Sequence, residues 1–411
     1  MSKRNRPANL FAIFITVFVD LLAFGLVIPD IQLRGRSLGL HGWELGILLG
    51  TYSFAQLLTA PFLGRLSDRI GRRSILLITT LLATTGFLFY AHSDHFYGIL
   101  VARILAGIAG GNLGVAYAYV ADVTEPKDRA KGMGMIGAAF GLGFILGPAA
   151  GGMLVQVGHD KPILLGYTAA AFAFINFLYV FFLLPEPPRH RNLVQGSYFG
   201  NIKRAFTTPN LGLLLAMFFA ANLGFTNLET TYFQLLAHKH WIFAPVIHGD
   251  DLLAKHWGSY LLAYIGVIVA FMQGFIVRKL TPKLGEVKIV RYAYWALVPT
   301  MALLAFMPLW FPHLAILFVM AVANGLLQPN ISSLVSRSAP VDMQGSIFGV
   351  TQALGACARV LGPLISNSLF DVQPYLPYVV GAAIILFPAF AAWKVRAPQS
   401  EESTVEPALA V

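Results

Sequence analysis

The chain has 411 residues, 57% of them hydrophobic and 12% charged, with a formal net charge of +10 and a mean hydropathy of +0.68. A water-soluble domain carries about 25% charged residues because its surface must be hydrated. Most of this surface therefore faces something other than water, which argues against a soluble enzyme or a nucleic-acid-binding domain.

Apolar runs of crossing length, about 20 residues each, predict membrane helices at 10–29, 43–63, 74–91, 96–121, 132–157 and 162–184. They recur at 210–236, 257–277, 289–310, 312–336, 344–370 and 374–394. The basic segment 1–6 runs into the first of these without a small-residue cleavage site, which predicts a retained helix rather than a signal peptide. A polar stretch at 185–209, with Pro187, Pro188, Arg189, Arg191, Lys203 and Arg204, separates six helices from six. The chain thus reads as an all-α membrane protein with twelve transmembrane helices in two pseudo-symmetric halves, 1–184 and 210–396. A cytoplasmic linker joins them at 185–209, and 397–411 is a cytoplasmic tail. Most of the 29 Lys and Arg fall in connections that this topology puts on one side. That positive-inside bias places both termini in the cytoplasm of a bacterial inner membrane. The single cysteine, Cys357, leaves no intramolecular disulfide and no thiolate cluster.

The halves repeat. The stretch from Gly64 to Gly71 is echoed by Arg278 to Gly285, 214 positions on, and Pro126 by Pro340 at the same shift. Leu146, Gly147 and Pro148 are echoed by Leu361, Gly362 and Pro363 at 215. Two parallel halves about a membrane-normal axis, with substrate between them near the midplane, follow from such a repeat.

Between the second and third helices the sequence predicts a tight turn, with Gly64, Asp68, Arg69, Gly71, Arg72 and Arg73 as its markers. Helix 4 carries Arg103 in mid-span with Gly107, Gly110, Gly111 and Gly114 on the following turns. A mid-span arginine is costly unless it faces a cavity or a counter-charge. Helix 5 has Gly143, Gly147 and Gly151 at four-residue steps, followed by Gly152, with Pro148 between. Such spacing lets helix backbones approach closely. Helix 1 holds Asp20, Gly25 and Pro29. Together these motifs resemble those of the major facilitator superfamily, and residues 10–155 resemble the tetracycline-efflux branch of its twelve-helix drug–proton antiporters. The resemblance implies that Asp68 pairs across the interface between halves as part of a conformational gate. It also implies that the glycines of helix 5 mark an exporter. Two departures stand out: Ala106 replaces the glutamine usual just before the glycine that follows Arg103, and helix 9 lacks the acid on which that branch depends.

Asp20, Arg103, Glu229 and Arg359 are the ionisable residues placed well inside spans. Burial disfavours a charged carboxylate and a nearby cation favours it, so an acid in a cavity with an arginine in reach can switch protonation as access alternates. Asp20, Glu229 and Arg103 are accordingly the expected proton-coupling group. Glu229 takes the part of the missing acid, and Arg103 is the partner of a buried carboxylate. Polar stripes at helical spacing predict a substrate cavity lined by Tyr52, Gln56, Thr59, Asn222, Thr226, Gln352 and Arg359. His238, His240, His248 and His256, with Asp250 and Asp251, fall between helices 7 and 8. Their spacing fits no compact metal template, so they read as a solvated loop.

These features predict a monomeric secondary transporter in the lipid bilayer that exports small amphipathic molecules against proton entry. It needs no cofactor beyond the proton gradient. The alternative is a proton-coupled carrier of one metabolite such as a sugar, lipid or siderophore. A membrane enzyme is disfavoured: the sequence has no phosphate-loop, zinc-protease or nucleophile-elbow motif.

Overall fold

The computed structural model describes residues 8–124, 129–157, 162–187, 198–238, 251–307, 309–340 and 344–396. Among the described residues there are helices and no strand. Eleven helical stretches are long and apolar enough to cross a membrane. In order they are Leu10–Ser37, Gly42–Ile70, Arg72–Ala91, Phe96–Val123, Met135–Leu154, Ile163–Leu183, Leu211–Ala237, Leu253–Leu284, Glu286–Leu304, Trp310–Ser338 and Gly349–Val372. Leu376–Ala391, at 16 residues, is the twelfth. Below they are spans 1 to 12. Phe182 and Phe311 are 73% and 80% exposed on the outside of the bundle. A surface studded this way would associate in water, whereas hydrocarbon solvates it. The protein is a twelve-helix membrane protein.

Local chemistry moves several boundaries from their predicted places. Span 1 was expected to end at 29, where polar residues begin, but a second helix, Ile28–Ser37, continues it. Pro29 occupies the first turn of that helix, where its missing N–H leaves no bond unmade. Span 4 breaks at Gly111 into Phe96–Gly110 and Asn112–Val123. Span 8 contains a π-helical turn, Met272–Ile276, where Met272 lies against Gly325 of span 10. Residues 64–70 are not a turn but the end of span 2. The chain reverses at Gly71 alone, with φ +108°, a region that disfavours any side chain. Within the expected linker, Tyr198–Thr207 forms a helix.

The internal repeat is visible in the backbone. Gly71 N–H donates to the Ser67 carbonyl at 3.0 Å and Gly285 N–H to that of Thr281 at 2.9 Å. Both glycines have positive φ, and each ends one helix while starting the next. One hydrophobic core gathers residues between Ala205 and Val395, with Leu33 as its contribution from span 1. Two others gather residues between Ala12 and Leu184.

The halves meet along span 2 against span 11 and span 5 against span 8. A Cβ on Gly46 would lie 2.8 Å from the Pro363 carbonyl oxygen, and one on Gly50 3.0 Å from that of Val360. These contacts run antiparallel, so residue numbers in the pair sum to nearly the same value and the register is fixed. Gly152 of span 5 likewise packs on Ser259 of span 8. At the opposite ends of the same four helices, Gly64, Gly349, Gly137 and Gly274 have open space where a Cβ would go. Among the described residues the close contacts between the halves thus lie at the end bearing residues 30–50, away from Gly71.

Candidate functional site

Two residues after Gly50 and one before Val360, the register brings Tyr52 and Arg359 to the floor of the seal. Further along the same two helices lie half-buried Gln56 and exposed Gln352. Tyr52 stacks with Phe24 of span 1, with ring centroids 4.3 Å apart. Gln56 is held by the Gly110 carbonyl at 2.8 Å, and Thr59 donates to the Ala55 carbonyl of its own helix. The Tyr52 hydroxyl lies in the electrostatic field of Asp20, Arg103 and Arg359 together. Arg359 and Glu229, facing from spans 11 and 7, also act on each other.

Asp20 is held by neutral donors. Asn112 Nδ2 of span 4 and Asn176 Nδ2 of span 6 donate to its two oxygens, each at 2.7 Å. An amide can serve either protonation state of an acid, because its N–H₂ donates to a carboxylate and its carbonyl accepts from a carboxyl O–H. Neither asparagine was picked out in the sequence, although Asn176 is a lone amide in an apolar run. Glu229 is half-buried. Its backbone carbonyl accepts from Gln32 Nε2 of span 1 at 2.7 Å, which sets it directly beneath the seal.

Three expectations change. Among the described residues no carboxylate lies within ion-pair distance of Arg103. Its guanidinium instead sits over the rings of Tyr52 (4.9 Å) and Phe24 (5.5 Å), and one Nη donates to the Leu49 carbonyl at 3.1 Å. Thr226 is 3% exposed, packs against Gly362 and donates to the Asn222 carbonyl, so it serves helix packing rather than the cavity wall. Asn222 on the same stripe is half-buried and donates back to Phe218.

Asp68, expected to reach across to the other half, pairs with Arg72 one turn on, at 2.6 Å, and is 56% exposed. The same arginine pairs with Asp122 at the end of span 4 at 3.0 Å and bonds Ser67. Glu186 accepts from the backbone N–H groups of Arg72 and Arg73. Among the described residues no basic group of the other half lies within ion-pair distance of Asp68. Arg69 is exposed beside it. The second half keeps the Arg72–Asp122 ion pair with its signs exchanged: Glu286 pairs with Arg337 at 3.3 Å. At the position equivalent to Asp68 the second half has Pro282, so only this second ion pair is repeated.

The helix 5 glycines pack. Gly143 lies against Leu21 and the Phe18 carbonyl, and Gly147 against Gly25, where a Cβ would come within 2.7 Å of the Gly25 Cα. Pro148 abuts Gly25 as well, and Gly151 meets the Leu26 carbonyl. Gly152 alone turns to the other half, onto Ser259.

The sequence missed a charged cluster inside the seal. Asp30, completely buried on span 1, pairs with Lys255 Nζ of span 8 at 2.9 Å, and Lys255 is 4% exposed. Tyr90 donates its hydroxyl to Asp30, and Arg34 lies 4.0 Å away while also bonding Ser93 and Asp94. Arg36 adds a pair to Asp371 at 2.7 Å. Of the histidine-rich stretch, His240, His248 and Asp250 lie outside the described residues. Asp251 begins a helix that carries His256, whose ring packs on Tyr260. His238 lies edge-on to Phe370. Among the described residues no group of His, Cys, Asp and Glu could hold a metal.

The profile of the Major Facilitator Superfamily matches residues 13–363. The chain belongs to that superfamily. Its members are transporters, not enzymes, and this chain's relatives include drug-efflux proteins. It is 30% identical over 397 residues to the class C tetracycline resistance protein of Escherichia coli, covering 92% of this chain and 94% of that one. It is 26% identical over 385 residues to the quinolone resistance protein NorA of Staphylococcus aureus, covering 92% and 94%. The crystal structure of the human organic anion transporter MFSD10 (TETRAN) superposes with a TM-score of 0.69 at 25% identity, covering 94% of this chain and all of that one.

Proposed function

We propose that this chain exports small amphipathic organic molecules across the bacterial inner membrane in exchange for protons, by alternating access between the halves 1–184 and 210–396. The observation that carries this is Asp20: an acid in an apolar bundle, bonded by two neutral amides. Such a group takes up and releases a proton without breaking an ion pair. Glu229, beneath the seal and opposite Arg359, supplies a second titrating position that substrate displaces. The arginine-rich end around Gly71 is cytoplasmic by the positive-inside rule, so the cleft faces inward and both termini are cytoplasmic. Asp68 then awaits its partner in the outward-facing state. Kinship with the tetracycline and quinolone resistance proteins favours export over uptake, and the sparse polar lining suits an amphipathic substrate. Transport runs in the monomer without a cofactor.

Inside-out vesicles acidified within should accumulate a fluorescent substrate of this class, and collapse of the gradient should release it. Accumulation only when the lumen is alkaline would mean proton symport and overturn the exchange.

A further inference from the structure

Arg103 is 6% exposed, at the level of the seal floor. Among the described residues it has no carboxylate partner, its Nε bonds nothing, and a single backbone carbonyl accepts from it. A guanidinium carries five N–H donors in a planar fork that matches a carboxylate or sulfonate. Leaving a charge that deep without a counter-ion is costly. Phe24 and Tyr52 cover it with π faces, which stabilise the cation while accepting none of its in-plane hydrogen bonds. Asp20 is occupied by Asn112 and Asn176, and Glu229 faces Arg359 from the other half. The group therefore has one cation more than its anions satisfy, and that cation is oriented by two rings.

We propose that the transported molecule is an amphipathic organic anion whose carboxylate or sulfonate docks on Arg103, its apolar body lying along Phe24 and Tyr52. This rests on the assignment of the cleft as the transport cavity and adds the charge of its cargo. Exporting an anion against an entering proton moves two charges in the same electrical sense, so the membrane potential as well as the pH gradient drives the exchange.

The test uses the full-length protein in detergent and three probes sharing one fluorophore: dansylglycine, its neutral amide, and a dansyl quaternary ammonium. Dansylglycine should bind about tenfold tighter than the amide, as one charge-assisted bidentate contact allows, and the cation weakest. Arg103→Gln should erase the preference for dansylglycine while the amide still binds; Arg103→Lys should restore part of it. Equal affinity for carboxylate and amide in the wild type, or an undiminished preference in Arg103→Gln, overturns the proposal. The wild-type comparison decides even if Arg103→Gln does not fold. Proton flux in proteoliposomes separates the two readings. Flux driven equally by the amide and dansylglycine sinks the anion site and spares the exchanger. Arg103-dependent binding of dansylglycine without any flux supports the anion site and sinks the exchanger.

Discussion

Lys255→Met leaves Asp30 buried in the sealed state without its partner from the opposite half. Breaking one side of a buried pair costs about 3–5 kcal/mol, and with Asp30 at 0% and Lys255 at 4% exposure no solvent discount applies. Arg34 and Tyr90 remain on Asp30 and pull the cost toward the lower figure. The penalty falls only on the sealed conformer, since opening that end rehydrates Asp30. At about 1.4 kcal/mol per decade, the ratio of opened to sealed forms should rise by about two orders of magnitude. Arg36–Asp371, 26% and 28% exposed, is worth about 0–1 kcal/mol, so Asp371→Asn should hardly move the ratio. The reporter is Leu33, 2% exposed and packed into the core of the opposite half. In a Cys357→Ala background, Leu33→Cys should react slowly with a membrane-impermeant maleimide added outside, and much faster once Lys255→Met is added. Equal labelling rates with and without Lys255→Met, or a larger effect from Asp371→Asn, would refute the buried pair as the closure of this end.

Gly147→Ala should lower the melting temperature, because a Cβ there meets the Gly25 backbone at 2.7 Å, an overpacking cost of about 1–3 kcal/mol. Gly137→Ala on the same helix enters open space and should leave it unchanged, as thermal shift will record. Asp68→Asn should keep substrate affinity in detergent within a few-fold, because Arg72 still holds Asp122, while transport in vesicles falls. Glu229→Gln should flatten the pH dependence of substrate affinity without abolishing binding, measured by titrating affinity against pH in both proteins.

The apolar runs made the spans legible because hydrocarbon imposes length and composition on each of them. The repeat was legible because it recurs at one spacing. Asp20, Glu229 and Arg359 stood out as charges inside apolar runs; Arg359 lies in the field of Glu229, and both Arg359 and Asp20 in that of Tyr52. What the sequence hid was pairing across the halves. Asp30 follows Pro29 at the edge of an apolar run and reads as the first loop residue; only the continuation of span 1 buries it. Lys255 likewise reads as a loop charge until its helix closes on span 1. The exchange of signs between Arg72–Asp122 and Glu286–Arg337 defeats any comparison of letters, since an ion pair keeps its geometry when both charges invert. Arg103 was assigned an acid because a mid-span arginine calls for a counter-charge. Two aromatic rings and one carbonyl hold it instead.

Proton movement driven by substrate tests the central assignment most directly. In proteoliposomes loaded with a pH-sensitive dye, substrate leaving through the protein should draw protons the opposite way. Asp20→Asn should bind substrate yet move no protons, since asparagine keeps the shape of the acid but cannot titrate. Protons travelling with the substrate, or wild-type proton flux in Asp20→Asn, would contradict it.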